Sequence, residues 1–442
     1  MEFETRNLDC IRMPIVQFIK KLCSVDIVKV FSLNAISTFI RMLTGMVSVK
    51  IVASIIGPAG VAIVGQLNNL VSILLGVANG GISSGVTKYV AEYRDDNQMM
   101  PNIMSNALRI TVICSLMMSF VLIIGHRYFS QYVLLSDEYG YVFVVFGFTI
   151  IFYTLNGLLI SILNGYKRFK KFVVVNISGT LIGLLFSVSL VVSFGLAGAL
   201  INAVTFQSVI FFITLYLLRK ETWLIKDNFT KKYDPCIVRM FLGYSAMTIL
   251  SLALLPVSQM LLRGYVISQI SIVEAGWWEG MNRISQMYLS VITTSLSVYY
   301  LPKLSETRNS DELRAEIFRV YKFIAPILFI ATLCIYILRH FIVWLLYTPS
   351  FYPMEDLFAC QLIGDFFKIM SWILAYQMIA KSQTKIFIVT EIFFTVSYLL
   401  LSYAFIRING IVGLTQGYMF NYIIYTLAMI VIYKNLLIKK NE

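Results

Sequence analysis

Charged residues are scarce in this chain, and no polar stretch between its apolar runs is long enough to fold alone. Asp, Glu, Lys and Arg make up 13% of the 442 residues, whereas 58% are hydrophobic and the mean hydropathy is +0.79. The longest polar connection runs from Arg219 to Arg239. These features exclude a soluble globular composition and leave no room for a soluble catalytic domain between the runs.

The sequence also lacks the short motifs of most enzymes. The six cysteines form no CxxC and no metal-binding spacing, and the two histidines are His126 and His340. Because there is no GxxxxGK[ST] loop, ATP is not expected as the direct energy source. No HExxH motif, paired catalytic carboxylates or Ser/His arrangement occurs either. We therefore expect no metal, no cofactor and no enzymatic activity.

Twelve apolar runs fill the chain instead. A helix needs about 20 mostly apolar residues to cross a bilayer. The runs lie near 29–56, 61–91, 103–125, 139–163, 170–193, 196–219, 236–263, 274–300, 314–340, 355–381, 384–405 and 410–434. We predict an all-α polytopic membrane protein with twelve transmembrane helices. Before them, residues 11–24 mix apolar residues with paired lysines, which is typical of an interfacial helix rather than a signal peptide.

The basic residues are distributed unevenly between the two sides of the predicted helices. If the N-terminus is cytoplasmic, 27 loop and terminal Lys and Arg residues lie on that side. The opposite side receives Arg127, Arg263, Arg339 and Arg407. The positive-inside rule then places both termini in the cytoplasm. The net charge of +13 is therefore mainly a topology signal with some affinity for anionic membrane lipids, and it does not imply nucleic acid.

The chain repeats itself at an offset of about 211–215 residues. Residues 170–198 begin KKFVVVNI and end GLAG, and residues 385–413 begin KIFIVTEI and end GIVG. Because the offset covers six runs, both halves have the same orientation and are related by a pseudo-two-fold axis along the membrane normal. We predict two six-helix lobes. The predicted parts are an N-terminal segment 1–28, an N-lobe 29–220, a cytoplasmic linker 221–235, a C-lobe 236–434 and a cytoplasmic tail 435–442.

Several runs carry a polar face at helical spacing. Arg41 lies on such a face in run 1, and Asn69 lies on one in run 2. In run 8, Glu279 and Asn282 share a face with Arg283 beside them. Unsatisfied polar groups are costly in hydrocarbon, so these faces avoid lipid. We interpret them as the wall of a water-filled cavity bounded by runs 1, 2, 7 and 8, with hydrogen bonding between helices as the alternative.

Ionisable residues within the apolar runs indicate functional positions more specifically than the polar faces do. A charge at the bilayer centre costs about 2.5–3.5 kcal/mol even on the lenient insertion scale, so each should face water or a partner. Lys50 is about half a turn out of phase with Arg41 and reaches the same cavity only if the helix bends or the side chain snorkels. Asp365 and Lys368, at i and i+3, can form a structural or a functional ion pair. The cavity is cationic on balance, which suits an anionic substrate such as a diphosphate.

Five segments of the chain carry a family pattern. They are GPAGVAIVGQ (57–66), SSGVTKYVAEYRDD (83–96), SVYYLPKLSE (297–306), YILRHFIVWLL (336–346) and FACQLIGDFFKIMSWILAYQMIAK (358–381). From about residue 29 to 434 the chain resembles the Wzx-type flippases. These belong to the polysaccharide-transport branch of the multidrug/oligosaccharidyl-lipid/polysaccharide exporter superfamily, and the likeness is strongest to flippases of the enterobacterial common antigen lipid intermediate.

The resemblance implies a function in the bacterial inner membrane. It implies that an undecaprenyl-diphosphate-linked oligosaccharide moves from the cytoplasmic to the periplasmic leaflet by alternating access coupled to protons or cations. Arg41 and Lys50 stand where these flippases have basic residues, which implies contact with the diphosphate or with anionic sugars. Asp365, Lys368 and Arg339 also match the family pattern.

Run 8 departs from that pattern. Gln286 stands where the similar flippases have an aspartate, and Glu279, two turns earlier on the same face, could substitute for it. Arg283 has no clear counterpart in the family. The predicted substrate-binding residues are Arg41, Lys50, Arg283, Asn282 and Asn69, and the predicted coupling or gating residues are Asp365, Lys368, Glu279 and Arg339.

Two other functions stay open. A multidrug or cation antiporter of the same superfamily would favour acidic residues, and the cationic cavity points the other way. A membrane glycan polymerase would need a sizeable periplasmic loop, whereas the longest expected outer loop runs from Arg339 to Glu355. The candidate partners are the lipid-linked oligosaccharide, membrane lipids, and a polymerase and a chain-length regulator of the same pathway. Residue usage rich in Ile, Phe, Tyr, Asn and Lys favours an O-antigen repeat unit as the glycan.

Overall fold

Helices account for every regular element in the described part of the chain. The computed structural model describes residues 26–94, 96, 98–307, 309–381 and 383–437. The interfacial helix expected at 11–24 and the end of the expected tail lie outside these residues. The α-helices are α1 (Asp26–Ala78), α2 (Ser83–Glu92), α3 (Met99–Ile124), α4 (His126–Phe129), α5 (Gly140–Gly165), α6 (Phe169–Leu218), α7 (Pro235–Gln269), α8 (Ile272–Ser295), α9 (Leu301–Glu306), α10 (Ser310–Ile337), α11 (Arg339–Leu346), α12 (Phe358–Ala380), α13 (Thr384–Ile432) and α14 (Lys434–Leu437). Short π-helical turns at Ser130–Leu134 and Leu296–Tyr300 and 3-10 turns at Asp137–Tyr139, Lys226–Phe229 and Pro349–Leu357 connect some of them.

Eight helices in the described ranges are long and apolar enough to cross a membrane. Three of them, α1, α6 and α13, have 53, 50 and 49 residues, more than twice the roughly 20 that one crossing requires. Each of the three bends at an internal glycine. Helices α6 and α13 each cover two of the apolar runs almost completely, whereas α1 contains run 1 and the first part of run 2, which continues into α2. Helix α8, which contains most of the polar run 8, is not among the eight. The count of twelve crossings stays a prediction.

The bends recur at the offset of the sequence repeat. Gly195 in α6 and Gly410 in α13 have φ values of 57° and 59°, which residues with a Cβ rarely adopt. Three residues later, Gly198 and Gly413 each pack so closely on the carbonyl oxygen of the residue eight positions earlier that a Cβ would not fit. Glycines shared by the two repeats therefore form the same helix bend twice.

Buried side chains form separate cores in the two halves of the chain. One pair of clusters comes mainly from the first half, and the other pair comes mainly from the second. Two helices contribute to both: Val49 and Ala62 of α1 pack in a second-half cluster, and Ile237 and Phe241 of α7 pack in a first-half cluster. The contact surface between the halves therefore runs along α1, α7 and α8. The lobe boundaries given above stay predictions.

Candidate functional site

A cleft between the two halves brings two arginines together. It has a volume of about 320 Å³ and is lined by Thr38, Arg41, Met42, Arg283, Gln286, Met287 and Ser290. Arg41 comes from α1 in the first half, and Arg283 comes from α8 in the second. Among the described residues that line the cleft there are two cations and no carboxylate. The cleft therefore has the charge and the donor groups to bind an anion.

Arg41 also lines a second cavity, a recess inside the first half. The recess has a volume of about 440 Å³ and is formed by α1, α5 and α6. Its polar lining consists of Arg41, Thr44, Ser48, Asn176, Thr180, Ser187, Asn202 and Gln207. Runs 2 and 7, which we expected to bound the cavity, line neither this recess nor the cleft. The open space instead follows α1, because the polar face of α6 turns toward it.

The two cleft arginines differ in how they are held. The Arg41 side chain is exposed and forms no hydrogen bond or ion pair with any described residue. The Arg283 side chain is 20% exposed, and its Nε donates a hydrogen bond of 3.0 Å to Oε1 of Glu279. Arg41 is therefore free to move onto a ligand, whereas Arg283 is oriented by the protein.

Glu279 is the centre of a buried chain of polar contacts. Its second oxygen, Oε2, accepts a hydrogen bond of 2.5 Å from Nη2 of Arg263, whose side chain is fully buried. Nη1 of Arg263 donates to Oε1 of Gln66 at 3.0 Å. The Arg263 guanidinium also lies 5.3 Å from the Trp278 ring. Gln66 belongs to α1, so this chain of contacts joins the two halves of the protein.

The two halves approach each other closely near the bend of α1 at Gly57. A Cβ on Gly65 would lie 2.5 Å from Cδ of Glu279, and a Cβ on Gly276 would overlap the main-chain carbonyl of Pro58. Only glycine permits so close an approach at these two positions. The cleft is therefore shut at what we call the Gly57 end, the end of the molecule where α1 bends.

Lys50 does not share a cavity with Arg41. Its Nζ donates hydrogen bonds to the main-chain oxygens of Trp344, at 2.8 Å, and of Tyr347. These carbonyls belong to the C-terminal end of α11, where a cation is favourable. The expectation that Lys50 lines the cavity is therefore not met, because the half-turn phase difference points it at the other half of the protein. Its contribution to substrate binding stays a prediction.

The two asparagines predicted to bind substrate, Asn282 and Asn69, line neither the cleft nor the recess. Asn282 is buried next to Arg283 in α8, and Asn69 lies one turn after Gly65 in α1. The side-chain nitrogen of each is buried and has no hydrogen-bond partner among the described residues. Unpaired buried amides are uncommon and costly. Their predicted contact with substrate stays a prediction.

Asp365 is buried in the second half and is surrounded by donors. Its carboxylate accepts hydrogen bonds from Ser285 Oγ at 2.6 Å, Tyr288 OH at 2.5 Å and Tyr418 OH at 2.7 Å. A fourth contact, from Gln361 Nε2, is longer at 3.4 Å. The donors come from α8, α12 and α13, so this one side chain joins three helices.

Lys368 is not ion-paired with Asp365, although the spacing permits it. Among the described residues its ammonium instead lies over three aromatic rings, 5.2 Å from Trp372, 5.7 Å from Tyr418 and 5.3 Å from Tyr422. Cation–π contacts of this kind stabilise a desolvated ammonium. Tyr418 therefore contacts both charges, its hydroxyl bonding the carboxylate and its ring facing the ammonium.

Arg339 occupies a local position at the start of α11. Its Nη1 donates to the main-chain oxygen of Tyr336 at 3.0 Å, and its guanidinium lies 4.4 Å from the Tyr336 ring. These contacts hold the break between α10 and α11. Arg339 lines neither the cleft nor the recess, and its predicted gating role stays a prediction.

Sequence reasoning missed Arg263, which it assigned to a loop on the outer side. The structure places Arg263 inside α7 and buries it against Glu279. A signal was present, because Arg263 and Glu279 lie at nearly equal distances from the turn at Ile270 and Ser271. Residues equidistant from the turn of an antiparallel helix pair face each other, and opposite charges at such positions pair readily.

Comparisons with known proteins agree with this architecture. The family model described as polysaccharide biosynthesis protein matches residues 27–308. The chain is similar to a protein named lipid III flippase from Escherichia coli (strain K12), with 28% identity over 395 residues that cover 89% of this chain and 94% of that protein. The lipid III flippase of Shigella flexneri is similar to the same extent.

Solved structures of the MOP superfamily are similar as well. An inward-facing multidrug resistance MATE family transporter has a TM-score of 0.75 at 16% identity, covering 90% of this chain and 98% of that one. A MOP superfamily transporter from Pyrococcus furiosus has a TM-score of 0.67 at 15% identity, covering 93% and 97%. These likenesses show that the chain shares the fold of these proteins.

Proposed function

The chain belongs to the polysaccharide biosynthesis protein family, and on that premise we propose that it is a flippase for a lipid-linked oligosaccharide. The substrate is a glycan attached to a polyprenyl chain through a diphosphate, with undecaprenyl as the chain. An O-antigen repeat unit is the proposed glycan, supported by the amino-acid usage described above. The relatives named lipid III flippase support this class of substrate.

The observation that carries the proposal is the pair of cleft arginines. Arg41 and Arg283 approach one cleft from opposite halves of the protein. A diphosphate presents several oxygens with the geometry that guanidinium groups bind best. The glycan hydroxyls would find the amide and hydroxyl groups of the adjoining recess. A cationic drug would instead meet two positive charges, which disfavours a multidrug antiporter.

The orientation that we propose places both termini in the cytoplasm of a bacterium and the Gly57 end at the periplasm. The excess of basic residues on loops opposite the Gly57 bend supports it. In this state the cleft is open to the cytoplasmic leaflet, where lipid-linked intermediates are assembled. A C-terminal alkaline phosphatase fusion should be inactive, and strong periplasmic activity of that fusion would contradict the orientation.

Coupling is proposed to involve Asp365. A buried carboxylate that loses or gains protein donors as helices move can take up and release a proton. The four donors of Asp365 come from three helices, so rearrangement of α8, α12 and α13 would change its surroundings. Lys368 beside it would then compete with the proton for the carboxylate.

Reconstitution tests the proposed function directly. The purified chain is placed in vesicles with a fluorescent polyprenyl-diphosphate oligosaccharide, and movement between leaflets is followed by quenching from outside. We expect faster movement than in protein-free vesicles, and no acceleration for an equally labelled neutral phospholipid. Movement at the protein-free rate, with the chain monodisperse and inserted, would contradict the proposal.

A further inference from the structure

Arg283 is the cleft cation whose orientation depends on other buried residues. Its Nε is bound to Glu279, and its two terminal nitrogens form no hydrogen bond within the described part of the chain. Those two nitrogens form the fork that binds phosphate oxygens in pairs. Their direction is therefore set by the position of the Glu279 carboxylate.

The Glu279 carboxylate is in turn fixed by Arg263. Both side chains are buried, and the contact between them is short at 2.5 Å. Taking such a pair out of water is costly, and Nε of Arg263 has no hydrogen-bond partner among the described residues. A buried ion pair with an unsatisfied donor contributes little to stability. The Arg263–Glu279 pair lies between the cleft and the contact of the two halves, so we look for a function other than stability.

The outer end of this chain of contacts is Gln66, on the other half of the protein. Oε1 of Gln66 accepts from Arg263, and its Nε2 donates to the main-chain oxygen of Met260 at 3.3 Å. Glu279 can pack here only because the adjacent residue of α1 is Gly65. The complete chain from Gln66 to Arg283 therefore exists only while the halves are in contact at the Gly57 end.

We propose that Gln66 and Arg263 are positioning residues that make the affinity of the cleft for a diphosphate depend on closure of the Gly57 end. With the end closed, Arg283 is held with its fork toward the cleft. Opening that end separates Gln66 from Arg263, releases Glu279 and lets Arg283 swing away. The affinity then falls on the side where the substrate must leave. This inference rests on the proposed function and adds state-dependent affinity to it.

Linkage requires the converse as well. If closure of the Gly57 end strengthens diphosphate binding, then diphosphate binding stabilises closure by the same factor. Couplings of this kind are typically 5- to 150-fold, and we expect about 5- to 20-fold here because one oriented guanidinium is involved. The two directions can be measured separately.

Binding is measured with geranylgeranyl diphosphate and the purified full chain in detergent. Gln66→Leu removes the acceptor and should weaken binding about 5- to 20-fold, whereas Gln66→Glu keeps the acceptor and should bind nearly as the wild type does. Gln377→Leu makes the same buried change in α12, away from the chain of contacts, and should leave binding unchanged. If Gln66→Leu is not monodisperse, Gln66→Met replaces it.

Closure is measured by maleimide labelling of Ala62→Cys in a background without native cysteines. Ala62 is fully buried between the halves, so labelling reports opening. Geranylgeranyl diphosphate should slow labelling severalfold, and Gln66→Leu should abolish that protection. Equal affinity or equal protection in Gln66→Leu and wild type would overturn the inference and leave the proposed function standing. No binding by the wild type would overturn both.

Discussion

The cleft and the Asp365 site differ in how many described protein groups contact their charged side chains. In the cleft, Arg41 is exposed, and neither its side chain nor the terminal nitrogens of Arg283 have a partner among the described residues. In the second half, Asp365 is fully buried and accepts from three hydroxyl groups and one amide. Lys368 beside it is enclosed by aromatic rings.

This difference separates two kinds of function for intramembrane charges. A cation without a protein partner is free to form charge-assisted hydrogen bonds with a ligand that brings negative charge, and such bonds are stronger than neutral ones. A charge already satisfied by protein donors gains nothing from a ligand and responds instead to movement of the helices that supply those donors. The cleft is therefore suited to binding, and the Asp365 site is suited to sensing conformation.

The largest expected effect is on Arg41. Arg41→Ala should stop transport and weaken binding of geranylgeranyl diphosphate by at least about tenfold, since a hydrogen bond to a charged group contributes roughly 1.5–3 kcal/mol and 1.4 kcal/mol is a factor of ten. The amount of protein in the membrane should not change, because the Arg41 side chain has no partner in the part of the chain that the structure describes. Arg41→Lys should keep part of the activity. Arg127→Ala, at an exposed arginine of α4, is the control, and equal losses in both variants would show that Arg41 has no special role.

The next effect is on Asp365. Asp365→Asn should stop transport while diphosphate binding persists, because the cleft arginines are unchanged. Membrane protein should fall only modestly, since the amide oxygen still accepts and the hydroxyl groups can turn. The double variant Asp365→Asn, Lys368→Gln distinguishes a role of the pair in proton coupling from a purely structural role. If it restores both protein level and transport, the two residues form a structural pair and the proton-coupling proposal is wrong.

Much of the fold could be predicted from the sequence because hydrophobicity and glycine positions are local signals. The repeat at Gly195 and Gly410 indicated matching segments, and the structure bends both helices there. The partners of Asp365 could not be predicted, since Tyr288 and Tyr418 lie on other helices. A tyrosine in an apolar run also cannot be told from an ordinary core residue by sequence. The partners of Lys50 could not be predicted either, because the sequence gives the helical phase of a side chain but not the neighbouring helix that it contacts.

A smaller effect is expected for Lys50. A substitution there tests whether Lys50 contacts the other half of the protein or the ligand. Lys50→Met keeps most of the length of the side chain but loses the bonds to the carbonyls of Trp344 and Tyr347. The loss of a cation at a helix C-terminus costs about 1 kcal/mol, so transport should fall by about fivefold or less. Binding of geranylgeranyl diphosphate should be unchanged, in contrast to Arg41→Ala. A loss of binding as large as that of Arg41→Ala would place Lys50 at the substrate instead.

The smallest effect concerns Tyr418, which contacts both charges of the second-half site. Tyr418→Phe removes one donor to Asp365 but keeps the ring that faces Lys368. Because Ser285 and Tyr288 still donate, we expect a loss of about 1 kcal/mol, seen as a shift of a few degrees at most in the melting temperature of the purified chain. Tyr422→Phe is the matched control, since the Tyr422 ring also faces Lys368 while its hydroxyl forms no hydrogen bond among the described residues. Tyr418→Phe should also slow transport more than Tyr422→Phe does, because only the first alters the surroundings of the carboxylate. If the two variants behave alike in melting and in transport, the hydroxyl donors do not matter, and the contrast between the cleft and the Asp365 site loses its basis.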